Sequence, residues 1–122
     1  MKILSVGHFS RPSNTSVHRM WALWSVATHV DAICLDSPKI SWTYRLRNKL
    51  FQWGLKVYLP DEPLANARII DYVRSVGYDF VWIDKGLTVY PNTLRKIKFF
   101  LPNCKIVSYS PDNMALRYNQ SQ

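Results

Sequence analysis

The sequence predicts an α/β domain, a doubly wound parallel sheet of about four strands in the order 2-1-3-4 with helices on both faces. Three observations lead there. Short apolar runs at Ile3 to Val6, Val30 to Leu35, Phe80 to Ile83 and Lys105 to Tyr109 are separated by stretches with helical periodicity. The third and fourth runs are almost unbroken, as strands are when both faces are covered. Right-handed crossovers then give a Rossmann-like winding in which the first strand is central and the second lies outside it. At 122 residues there is chain for one core, and neither a repeat nor a linker interrupts it, so residues 1–122 are expected to form a single domain.

Each element has its own signal. The first strand ends at Gly7-His8, and a polar loop from Phe9 leads to Asn14 or Thr15, both good N-caps for a first helix. Val17, Met20, Trp21, Trp24 and Ala27 recur at helical spacing and predict its inward face, with His29 at its end. Asp36-Ser37-Pro38 closes the second strand. Thr43 to Leu55 predicts a second helix, with Leu46, Leu50, Trp53 and Val57 along one side and Arg45, Lys49, Gln52 and Lys56 along another. Asp61-Glu62-Pro63 is expected to open a third helix, with Pro63 at its first position and Gly77 as its stop. Pro91 starts a fourth helix that runs through Phe100. After Asp112 the pattern stops without a closing helix, and the polar tail that remains, Asn113 to Gln122, reads as a cut.

Composition removes several classes. No run approaches the ~18–20 apolar residues that span a bilayer, and Met1 to Gly7 lacks the apolar stretch of a signal peptide. Cys34 and Cys104 both fall in apolar runs, where buried thiols are common, and point to a cytoplasmic chain with free thiols. The net charge of +8 favours anionic partners. It is concentrated: Lys39, Arg45, Arg47, Lys49 and Lys56 lie between Ser37 and Pro60 with no acidic residue among them. A solvated basic face is the ordinary reading of that helix. The sharper one is a membrane-peripheral contact through Thr43 to Val57, because Trp42, Tyr44, Phe51, Trp53 and Tyr58 set interfacial aromatics beside the cations. Single-stranded nucleic acid, stacked on the same rings, ranks third.

Ligands of an open parallel sheet bind at the carboxyl ends of the strands. There the sequence places His8, Ser10, Arg11 and the helix start at Ser13 to Ser16, then Asp36, then Asp84 and Lys85, then Ser110 and Asp112. A helix N-terminus favours anions. His8 is the strongest catalytic candidate, since an imidazole at a strand end faces the crevice. Asp36 and Asp84 also have an ordinary reading, as caps or loop hydrogen-bonders. A dinucleotide fingerprint is missing, since Gly7 stands alone. So are a phosphate loop, a nucleophile elbow and zinc-ligand spacing, and the single glutamate argues against paired-carboxylate glycosidase chemistry.

Several motifs carry a resemblance. N-T-S-x-x-R at Asn14 to Arg19, Y-D-F-V-W-I-D-K-G at Tyr78 to Gly86, V-S-Y-S-P-D-N-M at Val107 to Met114 and R-x-N-Q-S at Arg117 to Ser121 resemble the amino-terminal domain of GT-B-type bacterial glycosyltransferases. The likeness is to the family-1 type, spore-maturation-like members included. It implies two Rossmann-like domains across a cleft, the first holding a sugar acceptor and the second, absent here, holding the nucleotide-sugar donor. No cofactor would then belong to this domain, and it would not catalyse transfer alone. Acceptor-side positions carried over are Asn14, Thr15, Ser16, Arg19, Asp84, Lys85, Ser110, Pro111 and Asp112, with Ser10 and His8 beside them. The chain departs from the family at Asn113, where a second Asp is common, and at Thr28, where Gly is common. Two other readings remain: a stand-alone Rossmann-like binding module without chemistry, and a basic protein of the membrane surface. An uncovered cleft also leaves room for a homodimer.

Overall fold

The computed structural model describes residues 1–36, 42–55, 59–61 and 63–110. In chain order the elements are β1 (Lys2–Gly7), α1 (Thr15–Val26), β2 (His29–Cys34), α2 (Trp42–Gln52), α3 (Ala65–Ser75), β3 (Phe80–Asp84), α4 (Pro91–Phe100) and β4 (Lys105–Tyr109). The strands form one parallel sheet in the order β2-β1-β3-β4, as the winding argument requires. Register is set by alternation. Leu4 and Val6 of β1, Ile33 of β2, and Val81 and Ile83 of β3 enter one core with Ala65, Ile69 and Val73 of α3 and Ile97 of α4. α1 packs on β1 and β2 through Val17 and Met20, which stand outside that core and so cover the opposite face.

Several helix details differ from the sequence expectation. α1 buries Ser16, Val17 and Met20, while Trp21 and Trp24 remain about half exposed. The small side chains Ser5 and Ala32 lie on the α1 side of β1 and β2, so a narrow stripe suffices and the two indoles fall outside it. The helix ends at Val26, and His29 opens β2 instead of closing α1. α2 is rotated relative to its expected apolar side: Phe51 is its buried residue, with Tyr44, Asn48 and Leu50 partly covered, whereas Leu46 and Trp53 face outwards. Gly54 ends this helix. Its φ of 87° lets Leu55 N–H reach the Leu50 carbonyl and its own N–H reach the Phe51 carbonyl, a Schellman closure.

α3 begins at Ala65, two residues later than Pro63 would set it, and Leu64 occupies a left-handed conformation at φ 54°. The acidic residue expected there still acts as the cap. The Asp61 carboxylate accepts from the backbone N–H of Ala65 at 2.8 Å and of Asn66 at 2.7 Å. The helix ends at Ser75 with Val76 extended, so Gly77 supplies no left-handed stop. α4 starts at Pro91 as expected.

The turn after β3 leaves no room for a side chain at Gly86. A Cβ on Gly86 would meet Ile83 Cγ2 at 2.3 Å and Val89 Cγ2 at 3.2 Å, and Ile83 and Val89 both belong to the core. Gly86→Ala is therefore expected to cost about 1–3 kcal/mol by overpacking, seen as a lower urea midpoint at an unchanged slope.

Candidate functional site

The carboxyl ends of β1, β2 and β3 and the N-terminus of α1 enclose an open cleft of about 300 Å³, lined by His8, Asn14, Thr15, Ser16, Arg19, Asp36, Asp84 and Lys85. Of the residues the sequence put at this edge, His8, Asn14, Thr15, Ser16, Arg19, Asp36, Asp84 and Lys85 thus line a single space. Ser10 borders it through Asp36. Ser110 follows β4 on the same edge but does not line the cleft. Pro111 and Asp112 lie outside the described residues, as do Lys56 and Val57 at the end of the basic segment.

One wall is built around Asp36. His8 Nδ1 lies 2.7 Å from Asp36 Oδ1, and Oδ2 accepts from Ser10 Oγ at 2.5 Å and from Ser10 N–H at 3.1 Å. Parallel pairing sets this up: Gly7 lies opposite Cys34, so the residues following the two strands leave the sheet side by side. Burial alone would raise the Asp36 pKa, but hydrogen bonds from Ser10 and His8, with the His8 charge, outweigh it and bring the carboxyl to about 2. An ionised Asp36 accepts a hydrogen bond from a His8 Nδ1–H, and in the neutral imidazole of that tautomer Nε2 carries the lone pair.

The sign of the pH effect follows. A carboxyl whose pKa is depressed on folding contributes stability that is complete above its ordinary value of 3.8 and disappears as the pH falls towards about 2. Asp36 is partly open to solvent, so screening holds the contribution near ~1 kcal/mol. Ser10→Ala is expected to raise the Asp36 carboxyl pKa and remove part of this acid-dependent stability, as read by an NMR titration of the side-chain carbon and by urea melts between neutral and acid pH.

The floor is Arg19 on Asp84. Arg19 Nε lies 2.5 Å from Asp84 Oδ2 and Nη2 lies 2.9 Å from Oδ1, a two-pronged pair in which the carboxylate is only 2% exposed. Nη2 also donates to Thr15 Oγ1 at 3.1 Å, and the guanidinium sits 4.6 Å from the centre of the Tyr109 ring. Tyr109 stacks on Trp82, with ring centres 6.3 Å apart. Lys85 follows at φ 52°, a left-handed conformation that costs a non-glycine residue about 1–2 kcal/mol and turns the chain sharply out of β3 into the cleft wall. Across the opening, Asn14 caps α1, its Oδ1 accepting from Ser16 N–H at 3.0 Å.

The other histidines do not join the cleft. His18 is exposed and packs edge-on against Trp21, and His29 pairs with Asp31 on the surface. A second polar centre was missed by sequence reasoning: Asn66 joins α3 to the approach to α4. Its Nδ2 donates to Asp61 Oδ2 and to the Thr88 carbonyl, both at 2.7 Å. Its Oδ1 accepts from Tyr90 N–H at 3.0 Å and Thr93 Oγ1 at 2.6 Å. The one available signal was the polar Asn66 between apolar Ala65 and Ala67 just after an acidic cap.

Comparison of the chain with models of known families, with curated proteins and with solved structures finds no match.

Proposed function

We propose that this chain is the acceptor-side, amino-terminal domain of a nucleotide-sugar-dependent glycosyltransferase of GT-B architecture, and that its strand-end cleft holds a hydroxyl-rich acceptor. The observation that carries the reading is the His8–Asp36 pair in the wall of a polar cleft whose opposite side is Asn14, Thr15 and Ser16. At about 300 Å³ the cleft is at the small end of ligand sites, sized for one sugar-like ring rather than a dinucleotide. Its lining suits hydroxyls, because Thr15 and Ser16 donate and accept, Asn14 does both, and ionised carboxylates accept. Arg19 occupies two of the roughly four lone-pair positions of Asp84, leaving acceptor capacity for a ligand hydroxyl.

In this reading His8 Nε2 takes the proton of the attacking acceptor hydroxyl as the new glycosidic bond forms and the nucleoside diphosphate leaves the donor sugar. Asp36 holds the imidazole in the tautomer that can do this and stabilises the imidazolium that results. The donor would be held by a second domain, so this chain's own contribution is to bind, orient and deprotonate the acceptor.

The test is an amide NMR titration of the 122-residue chain with a set of monosaccharides and disaccharides at millimolar concentration. The reading expects shifts confined to Gly7 to Arg19 and to Asp36, Asp84 and Lys85, and a weakening of tenfold or more in Thr15→Ala. Absence of any shift for every sugar would overturn it. Sugar binding that is blind to His8→Gln and Thr15→Ala would move the site elsewhere on the surface.

A further inference from the structure

Helix α2 presents to solvent the side that amphipathic helices normally turn inward. Trp42, Leu46, Lys49 and Trp53 recur at intervals of four, three and four, which places them along one face. Trp42 is 76% exposed, Leu46 43% and Trp53 68%, and Lys49 between the last two is exposed as well, so a face of two indoles, a leucine and one lysine is uncovered over about three turns. The side turned to the protein is Phe51, with Tyr44, Asn48 and Leu50 partly covered. Lys49 Nζ lies 5.3 Å from the centre of the Trp53 ring, and Arg45 stands one residue before Leu46, so cations border the stripe. No acidic residue occurs on the helix. Scattered exposed apolar residues are normal on a protein surface, but two indoles and a leucine aligned on one face, with charge of one sign within and beside the row, mark an interaction face.

We infer that the outer face of α2 docks on an anionic lipid bilayer. Charge complementarity selects this occupant. Two indoles with an apolar body and one N–H suit the boundary between headgroups and acyl chains, and Leu46 between them suits the acyl side. Arg45 and Lys49 would then lie at headgroup level against lipid phosphates, their stems along the apolar boundary. A nucleic-acid strand would use the rings for stacking but would leave Leu46, at the middle of the stripe, without a role. The other tryptophan surface lacks this combination: α1 half-exposes Trp21 and Trp24, but its one Lys or Arg is Arg19, already bound to Asp84. Among the described residues no helix is long and apolar enough to cross a membrane, so the contact is one of surface docking. The inference uses none of the cleft residues and stands or falls apart from the proposed function.

The experiment is vesicle flotation of the chain with phosphatidylcholine alone and with phosphatidylcholine containing one quarter phosphatidylglycerol, at low salt and at about 0.15 M. Flotation with the anionic vesicles, and little with the neutral ones, is expected. R45Q/K49Q should weaken it about 25-fold, roughly fivefold for each charge near an anionic surface. W42A/W53A should weaken it at least tenfold while leaving the thermal melt unchanged, because both side chains are already in solvent. Four results with the vesicles would overturn the inference. They are no flotation by the folded chain, equal flotation with neutral vesicles, indifference to both double variants, or release from vesicles by a single-stranded oligonucleotide that binds more tightly. A concentration-dependent dimer in light scattering that W42A/W53A abolishes would assign the stripe to a second copy and overturn it as well.

Discussion

Arg19→Ala is expected to lower the stability of the domain by about 3–5 kcal/mol. The loss comes from what is left behind. Asp84 is 2% exposed and receives both prongs of the guanidinium, so truncating Arg19 strands a carboxylate in a site that water barely reaches. For a domain whose total stability is expected to lie within about 5–15 kcal/mol, that is a large share. Urea denaturation of three variants separates the causes. Arg19→Lys keeps a cation but loses the planar fork and the stacking on Tyr109, and should fall between wild type and alanine. R19M/D84N removes the charges together and should recover at least half of the alanine loss. If the double variant is no better than Arg19→Ala, packing of the guanidinium rather than the stranded charge sets the stability.

Asn66→Ala is the second large effect, expected at about 2–4 kcal/mol. The side chain makes four hydrogen bonds, to Asp61, the Thr88 carbonyl, the Tyr90 N–H and Thr93 Oγ1, with both of its polar atoms used twice. Thr93 is buried, and the alanine variant leaves its hydroxyl and the Tyr90 N–H without this acceptor. Asn66→Asp keeps an acceptor for Tyr90 and Thr93, but it sets a carboxylate against Asp61 and the Thr88 carbonyl. It should be destabilised at neutral pH and recover in acid. Amide exchange at Tyr90 and Thr93 is the matching local measurement. Protection there should fall further than in α1, because the lost bonds tie the α4 entrance to α3.

The sheet was legible because its signal is redundant. Ile3 to Val6 and Phe80 to Ile83 are apolar on both sides of the pleat, and the handedness of crossovers then leaves little choice of order. The location of the cleft follows from the same rule, and His8, Asp84 and Lys85 meet there because each directly follows or ends a central strand. The pairings inside the cleft were not legible. Arg19 and Asp84 are 65 residues apart, and which strand-end carboxylate a helix cation meets depends on how that helix is rotated on the sheet. The same rotation hid the outward stripe of α2. Leu46 and Trp53 have helical spacing whether they face protein or solvent, and only docking through Phe51 decides which. Asp36 shows the ordinary one of its two readings, a loop hydrogen-bonder to Ser10, and the same carboxylate contacts His8.

The column of Trp82, Tyr109 and Arg19 gives the cleft an optical reporter of its own. Trp42 and Trp53 are largely in water and Trp21 and Trp24 about half so, whereas Trp82 is partly covered and its indole N–H is buried with no hydrogen-bond acceptor among the described residues. Its emission should therefore form the blue edge of the spectrum. A ligand that pulls the Arg19 guanidinium away from the Tyr109 ring would alter the field felt by the stacked indole, and blue-edge intensity would follow occupancy without an added label. In a chain with the four solvent-facing tryptophans changed to phenylalanine, that change could be followed in a stopped-flow instrument, turning the floor of the cleft into a clock for ligand arrival.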